Sequence, residues 1–180
     1  LEDPVFCQAL RKSGCIMLKL GLESGSQNVL DQMHKGIQLE RVSRILFHLE
    51  SAGIATYIYL LFGTPNETEK DALMTMKFIK QYRSAITFLN LAIFNMPVCS
   101  PEAAENTNRF SDGDLSLYCD FEHPYKWNRK AVRNFLQTRF RKDPHINQII
   151  LRDPPVFTSN HAPLFLLNDA ASAFSLEDIT

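Results

Sequence analysis

No two cysteines in this chain lie close enough in sequence to share one metal ion. Cys7, Cys15, Cys99 and Cys119 stand 8, 84 and 20 positions apart along 180 residues. Metal and cluster motifs pair thiolates through gaps of about two to four residues, and four cysteines are too sparse for a disulfide scaffold. Free thiols in a reducing cytoplasm are the expectation. Charge of one sign is also lacking: 19 Lys and Arg meet 20 Asp and Glu, a net charge of −1. That balance excludes a basic coat for nucleic acid or an anionic membrane. The apolar runs 58–62 and 88–94 fall far short of the ~18 residues of a bilayer span. There is no HExxH, no GxSxG elbow and no phosphate-cradling GxxxxGK loop. What is present, 45% hydrophobic and 22% charged residues, is ordinary globular composition and excludes a disordered chain. The chain opens on Leu1 with no basic segment leading a long apolar one. A cytoplasmic fragment, processed product or partial gene without a secretory signal is therefore expected.

Glycine and proline divide the chain. Six of the seven glycines lie at or before Gly63, and seven of the nine prolines at or after Pro97, so tight turns between regular elements are expected in front and irregular structure behind. Asp3-Pro4 reads as an N-cap and first helical residue, with the helix stopped at Gly14. Cys15 to Leu20 reads as a strand. Ser24-Gly-Ser-Gln27 fits a capping box opening a helix to about His34. Val42, Ile45, Leu46 and Leu49 form one helical face ending at Gly53. Ile54 to Phe62 is β-branched and aromatic, a second strand. Thr68 and Asp71 box the start of a helix whose stripe is Ala72, Leu73, Met76 and Ile79. Ile86 to Phe94 is a third strand, and Asn128 to about Lys142 a helix with Val132, Phe135, Leu136 and Phe140 on one side. This alternation with near-continuous apolar strands predicts a parallel α/β sheet over 1–97 and a Pro-punctuated tail over 98–180.

Ligands of parallel α/β folds sit at the carboxyl ends of strands. Glu23, just past the first strand, is either a solvated acid at a helix start or an acceptor for vicinal hydroxyls. Lys35 is either a cation favoured by a helix C-terminus or, folded back over the strand ends, a partner for a ligand carboxylate. Seven basic residues and no acidic one lie from Lys126 to Lys142. They read as a solvated face or as a dock for an anionic substrate, RNA or partner domain. Tyr125 and Trp127 either stack on a ring or anchor this helix.

Gly14-Cys-Ile-Met-Leu-Lys-Leu-Gly-Leu-Glu-Ser-Gly-Ser26, Val29-Leu-Asp-Gln-Met-His-Lys-Gly36, Ala52-Gly-Ile54 and Gly63-Thr-Pro-Asn-Glu-Thr68 together resemble the latter half of the radical S-adenosylmethionine (SAM) core. The nearest flavour is the branch with an N-terminal cobalamin-binding domain. The resemblance covers residues 1–97. It implies an α/β fold, the C-terminal half of a partial (β/α)6 TIM-like barrel contributing strands four to six, plus an irregular, mostly helical tail. It implies Glu23 and Ser24 at the SAM ribose, Lys35 at the methionine carboxylate, Leu61 at the adenine, and Tyr59 pointing inward on the same strand. Two parts of the family pattern are missing from this sequence, the CxxxCxxC cluster motif and the DxHxxG cobalamin loop, and Pro97-Val-Cys-Ser-Pro101 stands where a Pro-Gly-Thr turn is usual. The resemblance therefore implies that the [4Fe–4S] cluster, and cobalamin where used, are held by a missing N-terminal half of the barrel, in the same or a separate chain. It implies reductive SAM cleavage to a 5′-deoxyadenosyl radical, or cobalamin-assisted methyl transfer, with this chain inactive by itself. The substrate, small or macromolecular, is not named by these residues. A non-catalytic half-barrel acting as an interaction module is the alternative.

Overall fold

A computed structural model describes residues 1–100, 103, 117–119 and 121–152. Helix α1 (Pro4–Lys12) starts as its sequence dictates: the Asp3 carboxylate accepts the Val5 N–H at 2.9 Å and Pro4 takes the first turn. Gly14 follows at φ 95°, turning the chain into β1 (Met17–Glu23). Then come α2 (Gln27–Gln32), α3 (Leu39–Ser51), β2 (Ala55–Phe62), α4 (Glu69–Gln81) and β3 (Phe88–Ile93). The three strands form one parallel sheet in the order β1-β2-β3. The expected α/β class and helix–strand alternation are what the structure has.

Alternation along β2 sorts the core. Ile58, Leu60 and Phe62 pack with Leu46 of α3, Ala72 and Ile79 of α4, and residues from the C-terminal helices. The opposite face carries Met17, Tyr57, Tyr59 and Phe88, a cluster built from strand residues only. The helix layer thus lies on one face of the sheet, as the outer helices of a barrel do.

The C-terminal portion joins that core. α5 (Arg129–Phe135) is capped by Asn128 and runs into a wider π turn, Leu136–Phe140. Val132, Phe135 and Phe140 belong to the cluster around Phe62, whose ring meets that of Phe140 at 5.4 Å. Four expectations are corrected in detail. The helix expected to reach Lys142 ends in the π turn, because Asp143 accepts the N–H groups of His145 and Ile146 and opens α6 (Pro144–Ile150). The capping box expected at Ser24–Gln27 does not form. Ser26 is the N-cap of α2, but its hydroxyl donates to Asp71 of α4 at 2.7 Å. β1 also begins two residues later and runs three further than expected. Finally, short strands β4 (Met96–Pro97) and β5 (Tyr118–Cys119) pair antiparallel, which no sequence pattern announced.

Candidate functional site

The end of β1 departs from regular geometry. The β1–β2 register shifts between Gly21 and Glu23, and Glu23 has φ 64°. The Ser24 N–H closes a tight turn onto the Leu22 carbonyl at 2.8 Å, with Glu23 at its centre. A left-handed backbone at a residue with a full side chain costs on the order of 1–3 kcal/mol. The result is a re-aimed carboxylate. Glu23 Oε1 lies where it would be 2.9 Å from a Cβ at Gly21, so it curls over the one β1 position with no side chain.

Lys35 reaches the same place. α2 ends at Gln32, and two left-handed residues, His34 (φ 52°) and Gly36 (φ 64°), bracket Lys35. They swing the chain back so that Lys35 Nζ lies 3.7 Å from Glu23 Oε1. Both side chains are partly exposed; a pair of this kind contributes about 0–1 kcal/mol. Stability therefore does not explain the strained turn that makes it.

Tyr59 stands directly across from Gly21 in the sheet register. Leu61 is two residues on, on the same face by strand alternation, and both are half-buried. The structure thus brings Glu23, Lys35, Tyr59 and Leu61 to one end of one sheet face. Ser24 goes elsewhere. It is fully buried, its hydroxyl shares a hydrogen bond with Thr75 Oγ1 of α4 at 3.2 Å and accepts the Ser26 N–H. Gly25 N–H also donates to Thr75 Oγ1, at 2.8 Å. Ser24 therefore fastens the loop to α4, and its oxygen is committed there.

Glu67 is a residue that sequence reasoning missed. It lies in the turn after β2 and is fully buried. Its Oε2 accepts the Gly63 N–H and the Trp127 Nε1–H, the latter at 2.7 Å, while Oε1 and the nearby Thr64 hydroxyl have no partner among the described residues. Burial pushes the Glu67 carboxyl up to about 7, against the opposing pull of those two donors. The signal available was the Gly63-Thr-Pro-Asn-Glu-Thr68 turn itself; Trp127, 60 residues away, carried none.

The residue types gathered here set what the arrangement can do chemically. A carboxylate poised over a glycine can accept from a ribose diol, an adjacent ammonium can meet a carboxylate, and Tyr59 and Leu61 offer an apolar floor. Cys7 is buried with Leu49 and Ile54, and Cys119 lies against Met96. Among the described residues no three His, Cys, Asp or Glu side chains converge as a metal requires.

No protein-family model matches the chain. Curated relatives do. Over 142 residues it is 25% identical to bacteriochlorophyllide d C-12(1)-methyltransferase of Chlorobaculum tepidum, covering 76% of this chain and 31% of that protein. It is 32% identical to the tRNA-2-methylthio-N(6)-dimethylallyladenosine synthase of Saccharopolyspora erythraea, over 48% of this chain and 18% of the relative. With the anaerobic magnesium-protoporphyrin IX monomethyl ester cyclase of Rubrivivax gelatinosus the identity is 30%, over 46% and 15%. Among solved structures, coproporphyrinogen III oxidase (HemN) from Escherichia coli, described as a radical SAM enzyme, superposes with a TM-score of 0.53 at 18% identity, over 75% of this chain and 29% of that one. The fold is that of part of a radical SAM barrel, and the resemblance first seen in the motifs is to that family. The chain spans about a third or less of the length of these relatives.

Proposed function

We propose that this chain supplies the SAM-binding wall of a radical SAM barrel. The observation that carries the proposal is the convergence at the end of β1: Glu23, strained into place over Gly21, lies 3.7 Å from Lys35 and beside the face that bears Tyr59. Glu23 accepts from the ribose hydroxyls. Lys35 turns from Glu23 to the methionine carboxylate. Tyr59 and Leu61 line the adenine, and Ser24, bonded to α4, holds the Glu23 turn from behind. When bound, SAM supplies the radical or methyl-transfer chemistry of the family, which the protein positions and shields.

The remaining strands of the barrel, with the CxxxCxxC cluster motif and any cobalamin site, are assigned to a partner half in the same or a separate chain. Two features support this. Among the described residues β1 pairs only with β2, leaving its other edge free. An apolar hollow of about 290 Å³, lined by Leu20, Leu22, Ile37 and Val42, lies beside that strand, room for a few apolar side chains of a partner half.

Calorimetric titration of the chain with SAM tests the assignment. Wild type binds, and Lys35→Ala and Glu23→Gln each weaken binding by about ten-fold or more, about 1.4 kcal/mol. Equal affinities would remove both residues from the site, and no binding by wild type would favour the non-catalytic interaction module.

A further inference from the structure

Arg129 and Lys130 stand where a helix least favours them. They occupy the first turn of α5, which has no acidic residue, and the positive end of the helix macrodipole repels cations. Neither makes an ion pair among the described residues. Arg129 donates to the neutral side-chain oxygen of Asn95. Two uncompensated cations at that end lower stability, so their placement calls for a reason other than folding.

The space they border supplies one. A cleft of about 250 Å³ opens beyond the carboxyl ends of β2 and β3, at Gly63 and Ile93. One wall is apolar, formed by Ile93, Phe94, Met96 and Phe121, and the rings of Phe94 and Phe121 meet edge to face at 5.8 Å. Arg129 and Lys130 also line it, and among the described residues no Asp or Glu does. His123, also in the lining, has both ring nitrogens engaged, Nε2 with the Thr64 carbonyl at 2.8 Å and Nδ1 accepting the Tyr125 N–H at 3.2 Å. Whole-ligand pockets run about 300–1,000 Å³, so this cleft suits one end of a larger molecule.

We propose that the cleft binds the carboxylate-bearing end of an otherwise apolar small molecule. The carboxylate meets Arg129 and Lys130, the guanidinium fork being shaped for it, and the hydrocarbon lies on Phe94 and Phe121. Strand carboxyl ends are where parallel α/β proteins hold ligands. As a substrate subsite the cleft rests on the barrel reading above; as a binding site it does not.

Octanoate is the probe, titrated into the full chain and followed by the fluorescence of Trp127, the single tryptophan, which adjoins the cap of α5. Octanoate binds saturably. Octanol binds about ten-fold or more weakly, and an Arg129→Gln/Lys130→Gln double variant, altered only at exposed positions, loses about the same factor. Lys35→Ala retains wild-type octanoate affinity. No saturable octanoate binding, equal binding of octanol, or an unaffected double variant overturns the proposal. So does displacement of octanoate by oligouridylate, which reassigns the cleft to nucleic acid. Octanoate binding without SAM binding supports the cleft and sinks the barrel reading alone.

Discussion

Glu67 keeps a carboxyl group out of water with one oxygen holding two donors and the other, among the described residues, holding none. Its two donors join the turn after β2 to the segment that leads into α5, so one acid ties the barrel rim to the C-terminal helices. Its carboxyl is raised from the ordinary 4.5 to about 7 by burial. A raised acid binds its proton more tightly in the folded state than in the unfolded one. Its contribution is therefore full below pH 4.5 and is lost as pH climbs through about 7, a swing of about 3 kcal/mol by linkage. Thermal unfolding from pH 4.5 to 8 should show wild type losing stability across that window and Glu67→Gln losing less. Parallel profiles for the two proteins would mean that another group governs the pH dependence.

At the scale of elements, the decisive contact is the loop 24–26 against α4. A Cβ at Gly25 would sit 2.6 Å from Thr75 Cα and 2.9 Å from Phe78 Cβ, so the loop reaches α4 only because residue 25 has no side chain. Gly25→Ala should cost about 3–4 kcal/mol, overpacking plus the loss of the Thr75 hydrogen bonds. Gly36→Ala, left-handed but in open space, should cost about 1–2 kcal/mol. Urea midpoints of the two variants check the order; a larger loss at Gly36 would place the strain in the Lys35 turn and not at α4. Much of this level was legible in the sequence. Glycines 14, 53 and 63 mark turns and take positive φ, and the Thr68–Asp71 box forms as read. Asp143-Pro144 carried the same start signal as Asp3-Pro4 but stood directly after the basic helix expected to reach Lys142, in the stretch read as irregular tail. The Ser26–Asp71 bond was not legible, because an N-cap serine satisfies local rules equally well whether it caps its own helix or reaches another.

At the scale of the molecule, helices gather on one face of a three-stranded parallel sheet, and the other face carries Tyr57, Tyr59 and Phe88 toward the side where a barrel interior lies. Parallel sheets are normally covered on both faces, and the second face is where the proposed SAM site and partner half would lie. The sequence motifs marked Glu23 and Lys35, and the fold joins them. What the motifs could not carry was the backbone device that does so: a register shift and a left-handed glutamate on one side, a paired left-handed turn on the other. The most direct measurement is amide chemical-shift mapping of the 15N-labelled chain during titration with S-adenosylhomocysteine, which shares the ribose, adenine and amino-acid groups of SAM. The account predicts saturable shifts at Gly21, Glu23, Lys35, Tyr59 and Leu61, with Arg129 and Lys130 unmoved. Shifts confined to the helix layer, or none at the end of β1, would contradict it.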